Sequence, residues 1–586
     1  MTHLNAANLA EPAQARAAWD EAHLVSALQG IVNRDAPRLF VRFMPQPDDF
    51  WWEHLRSEGE WLHGREIVTV DPLDALLAAP AHDVKGLVVY TEEVWATSNL
   101  ASTVAGVEDR LPLRFDESAG SLYTRVMAIG QDFAKDVMRL PHFNGEGTIP
   151  GTERPSTGSA KCDAHLWLKA HYLDTGKLSK DYMAFYIDQF WLTAPTKSGF
   201  SNATLTNHDF FIANKAFFFD LHVWDEEAPV DDPDQQPGTD VNTLREILAA
   251  MVEHAEGEII HIGGFTPWPW KYTDHPGAGS SHGPVDTEWR YAQIISTYNG
   301  IMDADAIGYS GMANASFYQH HPLDEVYPQN ERPTLDTLLK EGLLLEDGSV
   351  NREKIYACFY MGDYDAAAWF NYHVPLWWKD EAHGEQLCTW AFNPNLDRRA
   401  PHAMHYVRKN QSPNDWFMFG DSGAGYLNPG GLIEPRESGL PSGLDAWVRH
   451  NIPYAKRYDL DVVGFIIDGH SKEMGPDGMD AYMQFAPAGL VGQKLGGQGV
   501  WKETMPHLHM RWDIYGKPED AGKEIAGLVR GRTPFMFIRT ILQSPSWTRD
   551  TMAASVEADP RITWLDPYRF FLLLKQYELN KAARAG

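Results

Sequence analysis

Apolar residues along this chain come in short runs, and the spacing inside the runs changes with position. Residues 24–31 carry theirs at helical spacing, whereas 39–41, 67–70 and 87–90 are continuous apolar runs of strand length. Residues 73–77 fit a helix between two of them. Alternation of this kind predicts a small α/β domain over residues 20–118, with a parallel sheet covered by helices. No GxGxxG opens a helix there, so nothing points to a dinucleotide site. Residues 119–213 read as a mainly helical connecting region. Within it, 121–138 and 163–173 have mixed helical spacing and 181–192 reads as an aromatic helix. Turn formers at 144–147 and 150–159 mark a long loop.

From residue 214 the rhythm changes. Apolar runs recur at 216–219, 259–262, 306–309, 355–360, 388–392, 416–419, 462–467 and 534–538, most followed by a polar or glycine-rich segment and then a helical pattern. Eight such runs predict a C-terminal (β/α)8-like barrel over 214–586, within an α/β chain. A ninth run at 488–491 leaves the strand count open. Residues 225–240 are acidic, proline-rich and without a packing pattern, which predicts a surface loop.

Length and charge narrow the picture. The 586 residues exceed one simple core, so two or three domains are expected. Asp+Glu outnumber Lys+Arg by 80 to 50, a formal net charge of −30 that repels nucleic acid and anionic membranes. No apolar stretch reaches the length of a membrane span and no leader pattern opens the chain, so the cytoplasm is the expected compartment. Oligomeric state stays open. The three cysteines, Cys162, Cys358 and Cys388, are widely spaced and suit buried apolar positions better than disulfides or a thiolate metal site.

The candidate chemistry lies where strands end. Asp220 follows one apolar run, Asp363 and Asp365 another, and Asp421 and Asp468 two more. Acids delivered to one rim by different strands can work in pairs, because neighbouring carboxylates push their pKa values apart. That is the equipment needed for glycosidic-bond cleavage. Strand-end aspartates also cap helices and orient loops, which is the ordinary alternative for each one. Trp268 and Trp270, directly after the 259–262 run, offer flat faces for sugar rings. The segment Gly420-Asp421-Ser422-Gly423-Ala424-Gly425-Tyr426 places an acid, two flexible glycines and a ring at a strand end. Gly423, Gly425 and Tyr426 are therefore candidate substrate contacts. The close pairs His320/His321, His402/His405 and His507/His509 match no zinc pattern, so no metal or cofactor is expected.

Through Gly423, Gly425, Tyr426 and Pro429 the chain resembles the GxGYxYP family, described as putative glycoside hydrolases. Asn428 stands where the family motif has its second tyrosine. Residues 28–34 (Leu-Gln-Gly-Ile-Val-Asn-Arg), 362–365 and Asn393-Pro394 are similar to further family segments, so the resemblance spans about 20–575. It implies a barrel and a carbohydrate substrate. Asp421 and Asp363 are the leading acid and base or nucleophile candidates, with Asp365 and Asp468 as alternates. A binding protein on a degenerate barrel and a metal-dependent hydrolase are the competing expectations.

Overall fold

The computed structural model describes residues 12–70, 73–78, 83–188, 205–264, 271–274, 278–304, 314–529 and 533–585. The chain divides into two compact units: Met1–Pro322 with Arg398–His402, and Leu323–Asp397 with Ala403–Gly586.

The first unit contains two parallel sheets. One has the order β2-β1-β3, from β1 (Gly86–Tyr90), β2 (Arg110–Arg114) and β3 (Val137–Arg139). The other has the order β5-β4-β6-β7, from β4 (Tyr182–Phe185), β5 (Phe217–Phe219), β6 (Ile260–Gly263) and β7 (Gly300–Asp303). Every residue of β4 to β7 is buried, as a parallel sheet covered on both faces requires.

Several expectations change here. Residues 182–185, expected as helix, form a strand, because a short all-apolar run suits either state and the parallel neighbours β5 and β6 decide it. The runs at 39–41 and 67–70 do not become strands. Around Leu39 the backbone is served by side chains instead. The N–H groups of Arg38 and Leu39 donate to Asn33 Oδ1, and Leu39 O accepts from Gln29 and Asn33. Val41 exchanges both its backbone hydrogen bonds with Asn314. Polar groups satisfied this way have no need of a sheet. The 306–309 run lies outside the described residues.

The second unit holds the other sheets. One joins β8 (Ile355–Tyr364), β9 (Cys388–Phe392), β10 (Asp415–Phe417), β16 (Trp512–Asp513) and β17 (Phe535–Ile541) in the order β10-β9-β8-β17-β16, with β18 (Ile562–Trp564) also on β8. The other joins β11 (Phe419–Asp421), β12 (Val462–Ile466), β13 (Gly489–Gly492), β14 (Gly499–Trp501) and β15 (Met505–His509) in the order β11-β12-β13-β15-β14. All pairs are parallel except β14 with β15.

No described sheet closes on itself, so the single eight-stranded barrel over 214–586 is not found. The 216–219 and 259–262 runs pair with β4 in the first unit. Two chain runs link the sheets of the second unit: only Met418 separates β10 from β11, and two residues separate β15 from β16.

Strand alternation aims the side chains of this unit. Ala357, Phe359, Met536 and Ile538 pack with Ala521, Ile525, Trp547 and Met552 of the helices Pro518–Gly527 and Pro545–Ala558. Tyr360 and Arg539, in register across β8 and β17, therefore face away from those helices.

Candidate active site

Three of the candidate acids stand at the C-terminal ends of parallel strands in the second unit. Asp363 is the penultimate residue of β8, Asp421 ends β11, and Asp468 follows β12 by two residues. All three stand at the same end of their strands.

Asp421 is 3% exposed. Its Oδ1 accepts from the Tyr360 hydroxyl at 2.7 Å, and its backbone N–H donates to Asn393 Oδ1 at 2.9 Å. Burial pushes its carboxyl up to about 6, the nearby Asp363 charge adds to the rise, and Arg539 opposes it. Asp363 has a third of its side chain open to solvent, and its Oδ1 accepts from Arg539 Nη2 at 2.8 Å. Burial raises this carboxyl too, with Arg539 as the main opposing charge.

Arg539 completes the group. Its Nη1 donates to the Tyr515 hydroxyl at 3.0 Å and to Asp513 Oδ1 at 3.2 Å, and its guanidinium lies 5.4 Å from the Phe465 ring. Asp513 is half exposed, so the cluster of Asp363, Asp421, Asp513, Tyr360, Tyr515 and Arg539 runs from the buried Asp421 out to the solvent at Asp513. Gly464 leaves room for Tyr360, since a Cβ there would run into its ring.

The remaining candidates fall in different places. Asp468 is buried, accepts from the Lys494 backbone N–H at 3.0 Å and is raised to about 6 by burial. Asp365 is partly buried beyond β8. Gly423, Gly425 and Tyr426 are buried in packing rather than standing at an exposed face. A Cβ on Gly423 would stand 2.6 Å from Asn451 Oδ1 and 2.9 Å from the Trp447 ring. Asn451 also accepts from the Ala424 N–H, and Tyr482 donates to Ser422 O. The motif turn is thus packed against the helices Leu444–Tyr458 and Gly475–Tyr482. Asn428 donates to Ile467 O and accepts from Ser471, a fixed role for the residue that replaces the motif tyrosine. Trp268 and Trp270 lie outside the described residues.

Asp513, Tyr515, Tyr360 and Arg539 were not visible as site residues. Arg539 is one polar residue inside the apolar run of β17, and that interruption was the available signal.

Asp220 belongs to the first unit. Its carboxylate binds Lys271 and accepts from Tyr272 at 2.8 Å. Asp231 bridges Lys271 and Lys161, at 2.7 and 3.3 Å, and Lys161 also donates to Asp240 at 2.6 Å. The side chains of all five charged residues are at most 3% exposed. The 225–240 stretch is therefore anchored in the interior, through Asp231, Gln235 and Asp240, and not loose on the surface. Its acids find buried lysines that are distant in sequence. Among the described residues, no group of three or more His, Cys, Asp or Glu is placed to hold a metal. No described helix is long and apolar enough to cross a membrane.

The strand-end region of the second unit is similar to a known family domain. Residues 353–503 match the model of the GxGYxYP putative glycoside hydrolase C-terminal domain. The match includes Asp363, Asp421 and Asp468 and stops short of Asp513, Tyr515 and Arg539. A crystal structure of a putative hydrolase from Bacteroides thetaiotaomicron shares the fold, with a TM-score of 0.63 at 16% identity, covering 95% of this chain and 93% of that one. A putative polysaccharide deacetylase from Mycobacterium smegmatis aligns with 40% of this chain and 93% of its own, at 10% identity and a TM-score of 0.28, too low for a common fold. No curated protein sequence matches the chain.

Proposed function

We propose that this protein hydrolyses a glycosidic bond at the Asp363–Asp421 cluster. The observation that carries the reading is one buried acid beside a second, more open acid, at the ends of parallel strands within the family-matched segment. Asp421, with its raised pKa, gives its proton to the departing glycosidic oxygen as the bond to the anomeric carbon breaks. Asp363, held by Arg539, either bonds to that carbon or takes a proton from the water that does. Water supplies the H and OH of the products. The Tyr515 ring and Asp513 at the solvent end of the cluster suit the face and hydroxyls of a sugar.

We further propose that the two sheets of the second unit act as one barrel-like wall of parallel strands. Support comes from the two nearly continuous runs, β10 to β11 and β15 to β16, each placed in one sheet by its first half and in the other by its second. Such a wall gathers the ends of β8, β11, β12 and β17 around one mouth.

The test is a screen of oligosaccharides by product analysis, with Asp421→Asn alongside. The parent should release a product, and the variant should lose about 10²- to 10⁴-fold in rate while its melting curve stays cooperative. A variant with near-parental turnover would remove Asp421 from the mechanism. A parent that binds saccharides and cuts none would make this a binding protein.

A further inference from the structure

We propose that Arg539 divides the labour between the two carboxylates, holding Asp363 as the anion and leaving Asp421 as the group that carries the proton. The inference rests on the hydrolase reading above for its catalytic meaning, and on hydrogen bonding for its substance.

Arg539 stands on β17 in register with Tyr360 on one side and Asp513 on the other. Its bonds are unequal between the two acids. Nη2 donates directly to Asp363, and the other terminal nitrogen is used by Asp513 and Tyr515. Asp421 has a neutral partner instead, the Tyr360 hydroxyl, together with its own backbone bond to Asn393. Two acids close enough to feel each other share protons as a pair, and the first to ionise is the one in contact with a cation. The guanidinium cannot give up its proton, so this bias persists across the working pH range. A lysine would supply charge without the fork that reaches Asp363, Asp513 and Tyr515 together.

The surrounding charges fit this assignment. Asp363 is faced by Arg539, by Asp513 from β16 and by Tyr515, with Tyr360 on its own strand. Asp421 is faced by Tyr360, Asp363 and Arg539. Asp468, at the end of β12, turns its carboxylate to the Lys494 backbone. Asp513 draws on the same guanidinium as Asp363, but it is half exposed and is screened by solvent. Arg539 acts through Asp363 and is a positioning residue. It lies beyond the segment that the family model matches.

The experiment needs no substrate. The full chain is labelled with ¹³C at aspartate carboxyls and titrated by NMR, with signals assigned through Asp363→Asn and Asp421→Asn. The lower of the two coupled titrations should vanish in Asp363→Asn and the upper in Asp421→Asn. Arg539→Met should raise the Asp363 titration by about 1 to 3 pH units, and Arg539→Lys by less. The reverse assignment, or an Asp363 titration that moves by less than about 0.3 units in Arg539→Met, overturns the proposal. If Arg539→Met does not fold, Asp363→Asn carries the test. Loss of the like charge should lower the Asp421 titration, and an unmoved Asp421 overturns the coupling. Once a substrate is found, Arg539→Met should also shift the acid limb of kcat/KM upward. A correct split with no saccharide cleaved would refute the hydrolase reading and leave this one standing.

Discussion

Gly423 shows how much one backbone position decides in this protein. Its φ of +136° lies where side chains are rarely tolerated, and the space for a Cβ is taken by Asn451 and Trp447. Gly423→Ala should cost about 1–3 kcal/mol, read as a lower denaturant midpoint with an unchanged slope. Asp363 and Ser422 also hold left-handed angles, at 63° and 59°, beside and between the groups of the candidate site. Asp468 gives a second test at this scale. Its folded pKa is raised to about 6, so the folded state binds its proton more tightly than the unfolded chain. The associated stability is full below about pH 4 and is lost as pH rises towards 6. Asp468→Asn should flatten the stability curve across that window and melt above the parent at pH 7. A curve that falls as steeply as the parent's between pH 4 and 6 would assign the slope to other groups, Asp421 first among them.

At the scale of elements, buried polar networks replace regular structure in several places. The helix Pro12–Asn33 presents Gln29 and Asn33 to the backbone around Leu39, and Gly30 lets the helix His208–Ala213 approach closely. Gln29, Gly30 and Asn33 of the 28–34 segment thus serve packing and backbone hydrogen bonding. The 225–240 stretch is tied down by Lys161, Lys271, Asp220, Asp231 and Asp240. Lys161→Met leaves Asp231 and Asp240 with fewer partners in a dry interior, and it should lower stability by about 3–5 kcal/mol. Chemical denaturation checks this, and a loss below about 1 kcal/mol would mean that water or rearrangement satisfies the two acids. Neither effect was legible in the sequence, because a lysine in a helix and an acidic loop each look like ordinary solvated surface until they are paired.

At the scale of the whole molecule, the described sheets do not close into the single eight-stranded barrel that the apolar runs predict. The strand runs at 355–360, 388–392, 416–419, 462–467 and 534–538 all became strands. Runs at 216–219 and 259–262 did so as well, but in the sheet of the other unit. A continuous apolar run announces burial on both faces and says nothing about its neighbour. The division of the chain follows from such neighbours: Arg398–His402 clusters with the first unit although the residues on both sides of it belong to the second.

The sequence by itself determined that this is an α/β protein with parallel strands, and that acids stand where those strands end. Local apolar patterning carries both facts, since each strand must hide its own side chains and its polar residues collect beyond its end. The tertiary structure alone decided which acids meet. Asp421 and Tyr360 are 61 residues apart, and Asp363 and Arg539 are 176 apart. The second meeting depends on the register between β8 and β17, and the first on how strands of two different sheets come together; both are set by distant segments and leave no mark within either one.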